Sequence, residues 1–262
     1  MIRIKTARQI EGIRESCHLL AEVLEILEEA VKPGITTSDL DEIATNEITM
    51  RGGRPAFLGY QGFPGALCTS VNEEVIHGIP GNRRLNPGDV VSIDCGIEYN
   101  GYYSDSAITV PVGTPSPDVQ RLLTVTRNSL EDGIAAAVVG NRVNDISRAI
   151  YRTISVEGYG IVRPYCGHGV GLSLHEDPQI PNYVGRGPNP RLKHGMVIAI
   201  EPMVNLGVDD VDVLDDDWTV VTGDRSISAH FEHTVAIFRD HTEVLTRRAH
   251  EVVHSGVEAS TV

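Results

Sequence analysis

What this sequence lacks narrows the field before anything in it is read. Its four cysteines, Cys17, Cys68, Cys95 and Cys166, form no CxxC pair. Such spacing gives neither a zinc knuckle nor a thioredoxin-type motif, and leaves reduced thiols in a cytoplasmic protein as the expectation. No apolar run reaches the ~18 residues that a membrane span needs, and no apolar h-region marks a secretory leader. A membrane role is therefore not expected. Basic residues are outnumbered, with 22 Lys and Arg against 36 Asp and Glu, for a formal net charge of −14. A surplus of that sign repels phosphate backbones and argues against nucleic acid as the primary partner. No GxSxG or P-loop occurs, which removes the common signatures of serine hydrolases and nucleotide hydrolases.

What is present suits a soluble globular chain: 262 residues, 41% of them hydrophobic, enough for one large domain or two small ones. From Thr6 to Val31, Ile10, Ile13, Cys17, Leu20, Leu24 and Leu27 recur at three- and four-residue steps, with glutamates opposite. That periodicity predicts an amphipathic helix capped by Thr6 and stopped by Pro33-Gly34. Further helices are expected from Thr37, taken as the N-cap, to before Gly52-Gly53, over 117–139, and over 143–157. Short β-branched segments predict strands at 89–98, 102–110, 196–201 and 229–238. Helices set between apparent hairpins point to an α+β domain over 1–248 with an antiparallel or mixed sheet, and residues 249–262 lack periodicity and read as a flexible tail.

The most informative segment is DVVSIDCGIEYNGYYSDSAITV, residues 89–110. Asn100-Gly101 predicts a type I′ turn, because both central positions need positive φ. That turn sets Tyr99 opposite Tyr102, hence Asp94 opposite Ala107 and Gly96 opposite Asp105. Since alternate residues share a face, Asp94 and Asp105 become diagonal neighbours. Two carboxylates ~4 Å apart repel by ~4 kcal/mol at an effective dielectric near 20. Either they are exposed on a solvated strand, or a divalent cation sits between them. Glu201, closing MVIAI before Pro202, and Glu232, expected mid-strand in SAHFEHTVAIF, read individually as rim ion pairs or as ligands. His168 stands between Gly167 and Gly169, where backbone can approach a site closely.

Together IDCGIEYNGYYSD, GHGVGLSLHEDP, GMVIAIEPMV and SAHFEHTV resemble the four signature segments of the type I methionine aminopeptidases, in order and spacing, from about Ile10 to Phe238. The resemblance implies the pita-bread fold, a single pseudo-twofold α+β domain whose antiparallel or mixed sheet is covered by helices. It implies that Asp94, Asp105, His168, Glu201 and Glu232 hold two divalent ions, Asp105 and Glu232 bridging them. The donor set suits Mn²⁺ or Fe²⁺, with Co²⁺ or Zn²⁺ also able to occupy it. A hydroxide between the ions would attack the first peptide bond of nascent polypeptides that carry a small second residue. Glu201 would move the proton, His175 would steady the oxyanion, and His77 would contact the scissile amide. Tyr60, Phe63, Cys68, Leu174 and Trp218, with His77 and His175, would enclose the methionine side chain.

Phe63, Leu174 and Gln61 depart from the family's commoner tyrosine, phenylalanine and histidine, which leaves the ligands intact and alters the pocket. The resemblance further implies a monovalent-cation site near Asn72 and Ser228, a monomer, a transient contact with the ribosome, and no N-terminal zinc finger. The acidic run 209–217 lacks the glycine and terminal glutamate of an EF-hand and reads as a solvated loop. Because Ile2 is bulky, Met1 is expected to be retained. The rival expectations are a related peptidase acting on X-Pro bonds and a pita-bread binding protein without catalysis.

Overall fold

Thr6 opens the first helix, α1 (Ala7–Ala30): its hydroxyl accepts the Gln9 N–H, and the Gln9 side chain reaches back to the Thr6 N–H. Two donors that a helix start would leave unsatisfied are thereby paired. The computed structural model describes residues 1–251. α2 (Thr37–Met50) corrects one expectation, because its N-cap is Thr36, whose Oγ1 accepts the Asp39 N–H at 3.1 Å. Thr37 instead turns its hydroxyl to the Gly81 carbonyl at 3.0 Å. Two adjacent threonines are equivalent by propensity, and a distant carbonyl decides between them.

α3 (Pro117–Ala136) stops three residues short of its expected end, where the Asn141 side chain donates to the Ala136 carbonyl at 3.0 Å and closes the turn. α4 (Val143–Ser155) follows. The strand pairings among the described residues are antiparallel. One sheet is built on the hairpin of Val90–Tyr99 and Tyr102–Pro111, with Leu67–Val71 beside its first arm. A second sheet runs in the order Thr242–Val244, His233–Ile237, Val197–Ile200, Gly167–Gly169, Glu176–Ile180.

Each of these two larger sheets is backed by a helix pair. Leu20, Leu24 and Leu27 of α1 and Leu40 and Ile48 of α2 pack on Leu67, Ile93 and Ile108. Leu122, Leu130 and Ile134 of α3 and Ile146 and Ile150 of α4 pack on Ile180, Ile198, Ile200 and Val235. Fully burying each such side chain stabilises by ~1.5–3 kcal/mol. The result is a pseudo-twofold α+β domain. α1 also crosses the junction, because Ile10, Ile13 and Cys17 from its first half pack on Val197, Ala199 and Ala236 of the second sheet and on Leu245 just past its edge strand.

The junction itself is a polar seam. Ser106 Oγ donates to the Glu232 carbonyl at 2.7 Å, Glu232 N–H donates to the Ala107 carbonyl at 2.9 Å, and Thr109 Oγ1 donates to the His230 carbonyl at 2.7 Å. At the C-terminal side, Ala249 N–H donates to Glu25 at 2.6 Å and Arg248 N–H to Glu251 at 2.9 Å. Of the segment expected as a tail, 252–262 lie outside the described residues.

Candidate metal centre

The Asn100-Gly101 turn takes φ values of 53° and 83°, and the register matches the expectation: Tyr99 faces Tyr102, Asp94 faces Ala107, and Gly96 faces Asp105. Gly96 has a local reason. A Cβ there would lie 2.5 Å from the Phe57 ring, so only glycine lets that aromatic side chain lie over the strand beside Asp105. Glu232 corrects an expectation. It sits in a two-residue break between the Ser228–His230 and His233–Ile237 strands, not within one strand. Its backbone pairs instead with Ser106 and Ala107 across the seam, which carries its carboxylate to the Asp105 side.

Ligand atoms of Asp105, His168 and Glu232 all lie within 4.8 Å of one another. His168 Nε2 is 3.7 Å from Asp105 Oδ2 and 3.6 Å from Glu201 Oε1, so Glu201 joins through the imidazole. Asp94 joins as the diagonal neighbour of Asp105 across the hairpin, lining the same cavity. All five border one cavity of about 330 Å³. His168 Nδ1 lies 3.0 Å from the Gly169 carbonyl; a carbonyl only accepts, so Nδ1 carries the proton and the Nε2 lone pair faces the space among the carboxylates, where a cation could take it.

Four acids in one buried space cannot all hold their charge unaided. Burial, and then neighbouring Glu201, push Asp94 up to about 7 against the opposing pull of His230. Burial and the Asp94 and Glu201 charges raise Asp105 well above the carboxylate range, and burial with Asp105, Glu201 and Asp94 does the same to Glu232. Burial also acts to raise Glu201, but the His230 imidazole beside it and the charge of His168 outweigh it, leaving Glu201 low. Asp94 Oδ1, Asp105 Oδ1 and Glu232 Oε1 are buried without any hydrogen-bond partner. Orphaned carboxylate oxygens beside one free imidazole nitrogen make a donor set that fits divalent first-row cations.

The other expected residues gather around this cluster. Phe63, Cys68 and Leu174 form one buried apolar patch with Phe57, and Tyr60 and Trp218 pack against it. Phe63 and Trp218 meet edge to face at 5.1 Å. His175 stacks on Tyr60, its Nδ1 3.1 Å from the Tyr60 hydroxyl, and its ring centre lies 4.2 Å from that of His168. Burial and the His168 imidazole push it down to about 4, although its outer edge is open to the cavity. His77 takes a left-handed φ of 59°, faces Tyr165 and Trp218 edge to face, and is lowered chiefly by burial. Gln61 lies at the rim with φ 50°.

Three residues here escape sequence reasoning. Phe57 and Tyr165 lie in aperiodic loops, and only their aromatic character hinted at a wall. His230 is 1% exposed, its Nε2 is 3.5 Å from Glu201 Oε2, and neither ring nitrogen has a hydrogen-bond partner. Its place two residues before Glu232 was the available signal. Asn72 and Ser228 are in contact through the Ser228 N–H and the Asn72 carbonyl, 2.9 Å apart.

Known proteins resemble this chain over most of its length. The model of metallopeptidase family M24 matches residues 11–238. The methionine aminopeptidase of Treponema pallidum is 53% identical over 247 residues, covering 94% of this chain and 96% of that protein. Methionine aminopeptidase 1 of Bacillus subtilis is 51% identical over 247 residues, covering 94% of this chain and all of that protein. The crystal structure of the Thermotoga maritima methionine aminopeptidase superposes with a TM-score of 0.92 at 42% identity, covering 95% of this chain and 100% of that one. Prolidase from Pyrococcus furiosus superposes at 0.77 with 26% identity, covering 93% of this chain but 65% of its own. The pita-bread fold that the motifs imply is borne out.

Proposed function

The chain belongs to metallopeptidase family M24, and from that premise we propose that it is a methionine aminopeptidase, hydrolysing the first peptide bond of nascent polypeptides that begin with methionine and continue with a small residue. The observation that carries the reading is adjacency: the acid–imidazole cluster and the apolar wall of Phe63, Leu174 and Trp218 share one cavity. A linear thioether side chain fits such a wall, and aromatic edges favour its sulfur.

Asp94, Asp105, His168, Glu201 and Glu232 would hold two divalent ions, and the oxygen-rich donor set suits Mn²⁺ or Fe²⁺, with Co²⁺ or Zn²⁺ also able to occupy it. When bound, the ions supply Lewis acidity and bring the pKa of a water near neutrality. Four carboxylates would balance two dications, offsetting both the burial that chiefly raises Asp94, Asp105 and Glu232 and the carboxylate repulsion that adds to it. The Gly169 carbonyl fixes the His168 ring in the tautomer that presents Nε2.

Glu201, held low by His230 and His168, is ionised at neutral pH and accepts the proton that the attacking water gives up, then returns it to the leaving nitrogen. His175 is neutral at that pH. With the Tyr60 hydroxyl donating to Nδ1, the His175 Nε2–H is left to donate to the oxygen of the tetrahedral intermediate. His77 contacts the scissile amide, and Tyr60, Phe63, Cys68, Leu174 and Trp218 grip the side chain of the departing residue. Contact between Asn72 and Ser228 supports a monovalent-cation site there. No helix among the described residues is long and apolar enough to cross a membrane, and we place the enzyme in the cytoplasm as a monomer that meets its substrates at the ribosome.

Hydrolysis of a Met-Ala-Ser peptide is the test, run beside an X-Pro peptide with each metal added in turn to chelator-treated protein. Methionine release that requires metal and is absent from the X-Pro peptide is expected. Turnover of the X-Pro peptide alone would replace this reading with the prolidase one. Metal binding without turnover of either peptide would favour a binding protein.

A further inference from the structure

Lys5 is a charged side chain only 1% exposed, its Nζ 2.9 Å from Oε2 of Glu176, whose own side chain is 3% exposed. The other carboxylate oxygen of Glu176 accepts the backbone N–H groups of Leu172 and Ser173 at 2.7 and 3.1 Å. One carboxylate therefore folds the 171–176 loop onto itself and fixes it to the N-terminal segment. That segment is held in turn, since the Lys5 N–H donates to the Gly195 carbonyl at 2.7 Å. Arg3 donates to the Ser173 hydroxyl at 3.0 Å, and the Gly171 carbonyl accepts the Tyr103 N–H at 2.8 Å. There is no slack beneath the loop. Gly171 takes φ +125°, and a Cβ there would lie 2.4 Å from Ile13 Cδ1.

The loop carries Leu174 and His175. Leu174 is independently anchored in the apolar patch with Phe57, Phe63 and Cys68. His175 is not: beyond the Tyr60 hydroxyl and the face of His168, its height over the cavity is set by the loop backbone. A buried ion pair costs desolvation and is weak evidence for stability, whereas it fixes one geometry where apolar packing would accept several. We propose that the Lys5–Glu176 pair is a positioning device for His175, acting on turnover through the placement of that imidazole. The inference rests on the reading that His175 donates to the tetrahedral oxyanion.

The test is a double-mutant cycle on the full chain, loaded with saturating Mn²⁺ and assayed on the Met-Ala-Ser peptide well below each variant's Tm. Lys5→Met removes the charge at similar length. Glu176→Gln keeps an acceptor for the two loop N–H groups and removes the attraction to Lys5, so it stands in should Lys5→Met fold poorly. Each is made in the wild type and in a His175→Ala background. Displacing a catalytic group by a fraction of an ångström is expected to lower kcat about 10-fold or more. KM should stay within about 3-fold, because a donor that acts only in the transition state leaves ground-state binding intact. In the His175→Ala background, neither change should lower kcat further. Equal losses in both backgrounds would overturn the proposal, as would unchanged kcat accompanied by a lower Tm. A wild type inactive on the peptide would sink the functional reading and the positioning role together; an active wild type with additive losses sinks only the latter.

Discussion

Thr234 and Asp105 are bonded to each other twice: Thr234 Oγ1 donates to the Asp105 carbonyl at 2.7 Å and accepts the Asp105 N–H at 3.3 Å. They belong to opposite sheets, so one buried hydroxyl fixes the spacing between a candidate bridging carboxylate and the strand that leads to the other, Glu232. Thr234→Val keeps the shape and deletes both bonds. Leaving the Asp105 backbone unpaired should cost ~1–3 kcal/mol, read as a lower Tm. Metal affinity should fall about 10–100-fold, as for other supports behind a ligand. Calorimetric titration of the chelated variant with Mn²⁺ checks this; an unchanged affinity would show that the seam does not set ligand spacing.

Asp105→Asn should abolish turnover while leaving the protein folded. The amide retains volume but loses the charge that two cations would share, so the bound metal should drop below the wild-type stoichiometry. Elemental analysis after desalting, paired with the peptide assay, reads both quantities. Full activity in this variant would contradict the bridging role.

Removing metal should make stability depend on pH in a definite direction. Asp94, near 7, and Asp105 and Glu232, higher than an ordinary carboxylate, all have folded pKa values above their unfolded ones, chiefly through burial. Such groups stabilise below the unfolded pKa, and the contribution is lost as pH rises through the folded value. Glu201 runs the other way, but its window lies below the normal glutamate pKa, and the lowered His175 and His77 oppose the trend only up to their unfolded pKa of about 6.5, two protons against three. The chelated protein should therefore melt at progressively lower temperature from roughly pH 5 to pH 8, and the increase in Tm on adding Mn²⁺ should widen over the same range. Melting curves in EDTA that climb with pH across that window would refute the assignment.

Trp218→Ala should relax selectivity more than it slows chemistry. The indole meets Phe63 edge to face at 5.1 Å and faces His77 at 6.3 Å. Its loss opens the wall around the departing side chain and should erase up to about 10–200-fold of the preference for methionine over slimmer apolar residues. Competing peptides that differ only in their first residue measure this. An unaltered ratio would place the specificity wall elsewhere.

The hairpin was readable because two kinds of information coincide in it. Asn100-Gly101 fixes the turn, the turn fixes the register, and the register places Asp94 and Asp105 on one face without reference to any other part of the chain. Helix ends were readable where a side chain caps them, as at Thr6, and misread where a partner distant in sequence decides, as at Thr36 and Asn141. Glu232 was recognisable as a residue but not in its setting, since the break that turns it inward depends on Ser106 and Ala107 more than a hundred positions earlier. His230 was missed for a similar reason. Nothing local distinguishes a histidine aimed at Glu201 from one satisfied in the core. The short strands around 160, 203 and 220 carry too few residues for any period to show.

Helix α1 lies across both sheets, its early residues resting on Ala236 and Leu245. A chain emerging in order makes that helix first and its last supports more than two hundred residues later, so these contacts are among the most non-local a chain of this size can have. The enzyme consequently cannot assemble its centre piecemeal during synthesis. Until Glu232 and the strand after it have been made, four of the five candidate ligands exist without the fifth, and the hydrophobic face of α1 that Ala236 and Leu245 will cover stays uncovered. A protein that trims the starts of other newborn chains must itself have been made through Glu232 and the strand after it before it can begin.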